Sequence, residues 1–286
     1  PVRTVGFVVH PAREAAVRAA KGLAQWLEDR GIEVRWLDHE GAGEAGAASD
    51  LGERGVELVV SVGGDGTFLH AAHVASRAGC PILGVKVGRL GFLTEVEPEE
   101  TPPLLERAIA GTARIEERLA VLAEPEGADF EPQWALNEMM IEKRARHRIV
   151  RLALYVDETY VTTFSADGVI VATPTGSTAY SFSSGGPIVT PTLPCLLVTP
   201  VAAHMVFHRT MVLAADQNVT LEVVGEEPGV LSADGRESLE LPVGARVRVG
   251  AASSPALLVR RDDAPPFHAL VREKFGLPGG DPGSGL

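Results

Sequence analysis

The sequence predicts an α/β domain with a parallel sheet, followed by a β-rich, mostly antiparallel domain. Three observations carry that prediction. The first hundred residues alternate short apolar runs with helical patterns, and from about Ala113 the chain becomes a series of short strand-like runs separated by turn residues. The last thirty residues then recover a helical pattern.

In order, TVGFVV reads as a strand, and EAAVRAAKGLAQWLEDRG as an amphipathic helix stopped by Gly31. IEVRWL and LVVSV are strands, FLHAAHVASRAG is a helix closed by Gly79, and CPILGV is a further strand. Strand–helix–strand alternation of this length implies right-handed crossovers and a parallel sheet. Beyond Ala113, IEERLAVLAE, WALNEMMIEK, RIVRLALYVDETYVTTFSADGVIVAT, CLLVTPVAAHM, TMVLAADQNVTLEVV and ARVRVGA are strand-rich. DET at 157–159 and ADQN at 215–218 read as hairpin or turn connections between them. FHALVREKFG is helical, and the Gly/Pro-rich tail PGGDPGSGL is expected to be disordered. The expected domains are 1–112 and 113–261, with a C-terminal segment at 262–286.

The composition excludes several classes. A chain of 286 residues with 45% hydrophobic and 22% charged residues is that of an ordinary globular protein. No run reaches the roughly 18 apolar residues of a membrane helix. The start, PVRTVGFVVHPARE, lacks the basic opening and small-residue cleavage site of a signal peptide. A cytoplasmic protein is expected, with Cys80 and Cys195 as reduced thiols. A formal charge of −12 argues against nucleic acid as a partner. It leaves room for a phosphorylated small molecule, because a few backbone amides can hold phosphate.

LVVSV-GGDG-TFL is strand, glycine turn and helix, placed where open α/β sheets bind ligands. Gly63, Gly64 and Gly66 permit close approach, and a helix starting near Thr67 aims free N–H groups and its positive end at an anion. Asp65 is out of place beside phosphate unless it orients a hydroxyl and accepts its proton while a metal neutralises the phosphates. The plainer reading is a helix N-cap or turn residue. No lysine-bearing P-loop is present, and GAGEAG at 41–46 matches a dinucleotide fingerprint only by chance of composition.

WALNEMMI sets Asn137 and Glu138 inside an apolar run, and both can reach one ligand only near a strand end or bend. Glu138 needs a partner: a ribose hydroxyl, or one of Lys143, Arg144 and Arg148. From Ser165 to Val189, an Asp–Gly pair enters a strand that Pro174-Thr175-Gly176 breaks. A hydroxyl-dense segment with Ser177, Thr178, Tyr180, Ser181, Ser183 and Ser184 follows, suited to a hydroxylated, phosphorylated ligand or simply a polar loop. His204 and His208, and His70 and His73, lack the further ligands of a zinc site. His70, one turn beyond Asp65, is better placed for a ligand.

Together these residues resemble the NAD kinase family. The ordered set is GGDGTFL (63–69), GRLGFL (88–93), ALNEMMI (135–141), DGVIVATPTGSTAYS (167–181) with GGPI (185–188), and ADGRE (233–237). GGDGT is shared with diacylglycerol kinases and, in related form, phosphofructokinases; the Asn–Glu pair and TPTGSTAY single out NAD kinases. The resemblance implies an N-terminal α/β domain, a sandwich-like β-rich domain, a C-terminal segment packing back on the first domain, and an active site between domains. It implies transfer of a phosphoryl group from ATP or polyphosphate to the 2′-hydroxyl of the adenosine ribose of NAD, with a divalent metal ion, Mg²⁺, as cofactor. Asp65 would be the base, with Gly64, Gly66 and Thr67 near the transferring phosphate and His70 close by. Asn137, Glu138, Asp167, Thr175, Thr178, Ala179, Tyr180 and Ser183 would bind the dinucleotide, and Phe92 would contact the base. Arg148 and Arg236 fall where relatives contact ligand. A homo-oligomer, dimer or tetramer, in which one subunit completes a neighbour's site, is implied as well.

Three departures stand out: Lys86 where relatives commonly have Asn, Ala203 where Pro is usual, and Arg236 where Gln is frequent. Lys86 and Arg236 add positive charge where phosphates would lie. The rival functions are a lipid or sugar kinase of the same superfamily and a non-catalytic NAD/NADP-sensing module.

Overall fold

The structure, a computed structural model, describes residues 2–37, 54–89, 91–236 and 238–278. The GAGEAG stretch and nearly all of the Gly/Pro-rich tail lie outside the described residues. The chain runs β1 (Thr4–Val9), α1 (Glu14–Glu28), β2 (Glu33–Leu37), β3 (Leu58–Gly63), α2 (Asp65–Ala78), β4 (Ile82–Lys86), α3 (Thr101–Ala110) and β5 (Arg114–Arg118). Then come β6 (Val121–Glu126), β7 (Gln133–Ala135), β8 (Glu138–Lys143), β9 (Val150–Val156), β10 (Thr159–Ala166), β11 (Gly168–Ala172) and the one-turn α4 (Tyr180–Ser183). It closes with β12 (Cys195–Val201), β13 (Met211–Ala214), β14 (Val219–Val224), β15 (Gly229–Ala233), β16 (Leu239–Leu241), β17 (Arg246–Ala251), β18 (Ala256–Arg260) and α5 (Phe267–Lys274).

Two compact units result, one of residues 1–116 and 257–286, the other of 117–256. In the first, the sheet order is β2-β1-β3-β4-β18-β5. The pairings of β1 with β2 and β3, and of β4 with β3 and β18, are parallel. LVVSVG of β3 is buried along its whole length, as a central strand covered on both faces must be. α1 turns Ala16, Ala20, Leu23, Ala24 and Leu27 into a core with Phe7, Leu58, Val60 and Leu83. The spacing of those residues puts them on one helical face. α2 ends at Gly79, whose φ of 68° lets its N–H bond Ala75 O.

Two elements here escape sequence reading. α3 starts at a Thr-Pro-Pro and stops at Gly111, signals that are clear once seen. β18 lies within the stretch expected to belong to the second domain, yet it pairs with β4 through Leu258 and Ile82. A pairing across that much chain leaves no local mark.

The second unit is a sandwich of two antiparallel sheets, β10-β9-β14-β17-β6-β7 and β13-β12-β11-β8-β15-β16. Leu152, Leu154, Leu221 and Val247 of one sheet meet Met139, Ile141, Val169 and Val198 of the other. The second sheet is also covered outside, where Met140, Ile170, Ala172 and Leu197 pack with Val189. Burial on both faces explains why GVIVA and CLLV read as unbroken apolar runs. The β9–β10 hairpin turns through Asp157 and Glu158, both at positive φ as a two-residue hairpin loop demands. Cys80 and Cys195 are free and buried, and burial pushes the Cys80 thiol up to about 12. Among the described residues no helix is long and apolar enough to cross a membrane.

Candidate active site

α2 begins at Asp65 itself, two residues earlier than expected, and Gly64 is its N-cap (φ −106°, ψ −170°) with no side-chain cap. The reading of Asp65 as a local cap is therefore corrected. Its carboxylate turns away from its own helix to the loop after β4. Oδ2 accepts the Phe92 N–H at 2.8 Å and Oδ1 the Leu93 N–H at 3.2 Å. The carboxylate thus lies at the positive end of α2, beside the carboxyl ends of β3 and β4, with both oxygens oriented by amides. Gly91 is what permits this: a Cβ there would lie 1.9 Å from Asp65 Oδ1.

Gly64 and Gly66 flank Asp65, and Thr67 is buried in the same turn. His70, half-buried, stands one turn along. The Phe92 ring packs at 6.2 Å from Phe267 and 6.0 Å from Phe275, so the returning C-terminal helix braces the loop that holds Asp65. Lys86 is not a free charge, for its Nζ pairs with Glu97 at 2.7 Å.

In the second unit, β8 begins at Glu138, so Asn137 and Glu138 straddle a strand end. The bend is fixed by Asp234, whose carboxylate accepts the N–H groups of Leu136 (2.7 Å), Asn137 (2.8 Å) and Glu138 (3.1 Å). Thr173 ties the next strand to it, donating its hydroxyl to Leu136 O at 2.6 Å and its N–H to Asn137 O at 2.8 Å. The Thr173 hydroxyl also accepts the Gly176 N–H at 3.1 Å, which seats the Thr175–Thr178 turn against Asn137.

The hydroxyl-dense segment divides. Ser177 bonds Val189, and Ser181 bonds Thr199, both buried. Thr175 is buried and accepts from the buried Arg118 at 3.2 Å. Thr178 and Ala179 are half-buried, and Tyr180 and Ser183 are exposed, leaving these four accessible to a ligand.

Glu138 has none of the cationic partners considered for it: Lys143 pairs with Asp167, Arg144 with Glu240 and Arg148 with Glu227. Its Oε2 is buried with no hydrogen-bond partner among the described residues. Burial, and then the nearby Asp234 carboxylate, pushes Glu138 up to about 8. Burial also raises Asp234, against the opposing effect of its three N–H donors. For Glu138 the folded-state value lies above the unfolded one. Its contribution to stability is therefore full below about pH 4.5 and lost as pH rises through about 8.

Two expected residues are not brought to Asn137 and Glu138. Ala172 pairs with Glu138 and Gly168 with Glu142, so Asp167 sits at the opposite end of β11, roughly 15 Å away along the strand. Arg148 lies at that same far end, in the loop after β8. Arg236 is placed at the near end, donating through Nη2 to Trp134 O, with burial lowering its basicity. Asp234, Thr173 and Arg118 are positioning residues that the sequence reading did not single out. For Asp234 the signal was the Asp-Gly turn of ADGRE, where Asp234 adopts φ 50°.

A magnesium ion fits here only as one carried by phosphates. Among the described residues no three His, Cys, Asp or Glu side chains converge, and Mg²⁺ ordinarily takes one or two carboxylates with substrate phosphates and water.

Comparison with known proteins gives a consistent result. Residues 5–113 match the ATP-NAD kinase N-terminal domain, and residues 136–261 the ATP-NAD kinase C-terminal domain. NAD kinase 2 of Streptomyces coelicolor is 39% identical over 288 residues, spanning 97% of this chain and 95% of that protein. NAD kinase of Mycolicibacterium paratuberculosis is 38% identical over 297 residues, 96% of each. Among solved structures, yeast NADH kinase complexed with NADH has a TM-score of 0.86 at 22% identity, covering 100% of this chain and 90% of that one. An NAD kinase from Archaeoglobus fulgidus in complex with ATP has a TM-score of 0.72 at 27% identity, with 96% of each chain covered.

Proposed function

Because the chain belongs to the NAD kinase family, we propose that it phosphorylates the adenosine ribose 2′-hydroxyl of NAD, giving NADP, with ATP or polyphosphate as donor. The observation that carries this is the Asp65 carboxylate, held by the Phe92 and Leu93 amides at the glycine-flanked start of α2. The amides of that helix start hold a phosphate, and Asp65 accepts a hydrogen bond from the attacking hydroxyl. The bond from the terminal phosphorus to its bridging oxygen breaks as the bond from the 2′-oxygen forms. The hydroxyl proton passes to Asp65, and the donor leaves as ADP or as a polyphosphate one unit shorter. A ribose hydroxyl is too weak an acid to ionise beforehand, so positioning supplies much of the rate. Magnesium bound to the donor neutralises its phosphates.

Asn137 and Glu138, with Thr178, Ala179, Tyr180 and Ser183, bind the dinucleotide. Glu138 accepts from ribose hydroxyls as a carboxylate, although it is mostly protonated at pH 7 in the free protein. NAD binding then releases a proton. Its affinity is expected to rise roughly tenfold or more from pH 6.5 to 8.5 and to level off above that. Titration calorimetry across that range checks it; Glu138→Gln should flatten the profile, and a flat wild-type profile would count against the role. Asp167 and Arg148, at the far end of β8 and β11, act on a neighbouring copy in a homo-oligomer. A monomer in sedimentation under assay conditions would remove that role.

The reaction is tested by incubating the chain with NAD, Mg²⁺ and either ATP or polyphosphate, and reading NADP with an NADP-specific dehydrogenase. NADP with one donor identifies that donor. No NADP with either, despite measurable NAD binding, would favour a sensing module or a kinase with another acceptor.

A further inference from the structure

Resting on the kinase reading above, we propose that Arg13 is a phosphate-binding residue of the reaction, gripping the phosphoryl donor at the start of α2. Arg13 lies in HPAR, between β1 and α1, and is itself the N-cap position of α1 (φ −107°, ψ 102°). Its side chain reaches across the carboxyl ends of the strands, where Nη1 donates to Val87 O at 2.8 Å. That bond anchors the guanidinium over the loop after β4. A Cβ built on Gly88 would lie 3.1 Å from Nη1, and one built on Gly64, the N-cap of α2, would lie 3.9 Å from it. Nη1 thus lies close to two glycines, one of them in the turn that carries Asp65.

Arg13 is exposed to solvent, at a position where an anion would be favoured. A cation is disfavoured near a helix N-terminus, yet Arg13 stands at the start of α1 and beside the start of α2. Among the described residues it has no carboxylate partner, and its side chain makes no hydrogen bond besides that to Val87. The cation next along, Lys86, is neutralised by Glu97. Its guanidinium is anchored through Nη1, and among the described residues its other N–H groups have no partner. Its free N–H groups form a fork that matches phosphate oxygens, and the glycines leave room for them. This family loop lacks the lysine of a P-loop, and Arg13 supplies the missing fixed charge. It would hold non-bridging oxygens of the donor and stabilise the charge that spreads over them as the phosphoryl group is transferred.

The test compares wild type, Arg13→Ala and Arg13→Lys in steady-state NADP formation, with NAD affinity measured alongside by calorimetry. In Arg13→Ala, kcat/KM for the donor should fall by about 100-fold or more, while the NAD dissociation constant stays within about twofold. Inorganic tripolyphosphate should inhibit wild type competitively with the donor and lose that inhibition in Arg13→Ala. Arg13→Lys can still reach Val87 O but offers a point charge instead of a fork, so it should recover only part of the loss. An unchanged donor kcat/KM in Arg13→Ala overturns the proposal. So does an equal loss of donor and NAD affinity with a lowered melting temperature, which would mark Arg13 as a mere strut for the Val87 loop. Wild type making NADP in either case keeps the kinase reading intact; wild type making none removes both.

Discussion

Replacing Asp65 with Asn is expected to lower turnover about 1,000-fold while leaving NAD affinity within a few-fold of wild type. General-base assistance is commonly worth 10²–10⁴-fold, and the loss proposed corresponds to about 4 kcal/mol of transition-state stabilisation. The structure adds a second consequence. Both Asp65 oxygens accept backbone N–H groups, from Phe92 and Leu93, and Asn can offer only one acceptor. One amide then faces an NH₂ group, at a cost of about 1–3 kcal/mol, so the melting temperature should fall by several degrees. The loss of turnover must exceed what that loosening explains, and Asp65→Ala is the control: it removes both acceptors and should destabilise the loop at least as much. If activity tracks melting temperature across the two variants, Asp65 is a brace. If both are folded, bind NAD and fail to turn over, it is the base.

The second large effect belongs to Gly176. A Cβ at this position would stand 2.1 Å from Asn137 O and 2.8 Å from Asn137 Cα, both main-chain atoms. No side chain can swing aside there, so Gly176→Ala must push the Thr175–Thr178 turn off the Asn137 strand end. That breaks the Gly176 N–H to Thr173 bond and disturbs the Thr173 bonds to Leu136 and Asn137. A cost of about 2–4 kcal/mol is expected, with at least a tenfold loss of NAD affinity. Gly22 is the contrast. It lies within α1 with nothing inside 4 Å of a built Cβ, so Gly22→Ala should be neutral or stabilising by up to about 1 kcal/mol. Thermal melts of the two variants check the pair, and a Gly176→Ala protein as stable as Gly22→Ala would contradict the packing.

What could be read from the chain beforehand follows the range of each interaction. Helix α1, strands β1 to β4 and the 157–159 hairpin turn announce themselves through local periodicity and turn residues. GGDG marked in the same way the turn that follows β3. Asp65's partners did not show, because its acceptors' donors lie 27 and 28 residues on. The same holds for Asp234, which holds the Leu136–Glu138 bend from nearly a hundred residues away. IEERLAVLAE read as one segment but holds two strands, β5 in the sheet of the first unit and β6 in the sandwich. Motif reading also grouped Asp167 with TPTGSTAY, since they share one run of sequence. A strand separates its two ends in space, and Asp167 lies at the end of β11 away from Ala172, which pairs with Glu138. Arg13 carried no motif at all; only the placement of its guanidinium over two glycines gives it meaning.

The most direct measurement is ³¹P NMR of the reaction itself. NAD, Mg²⁺ and the donor identified by the NADP assay are incubated with wild type and with Asp65→Asn, and phosphorus resonances are followed over time. A new 2′-phosphomonoester signal growing in step with loss of the donor's terminal phosphate, in wild type and about 1,000-fold more slowly in the variant, is the expected result. Phosphate released to water, or esterified at any position other than the adenosine 2′-oxygen, would contradict the proposed acceptor and the part given to Asp65.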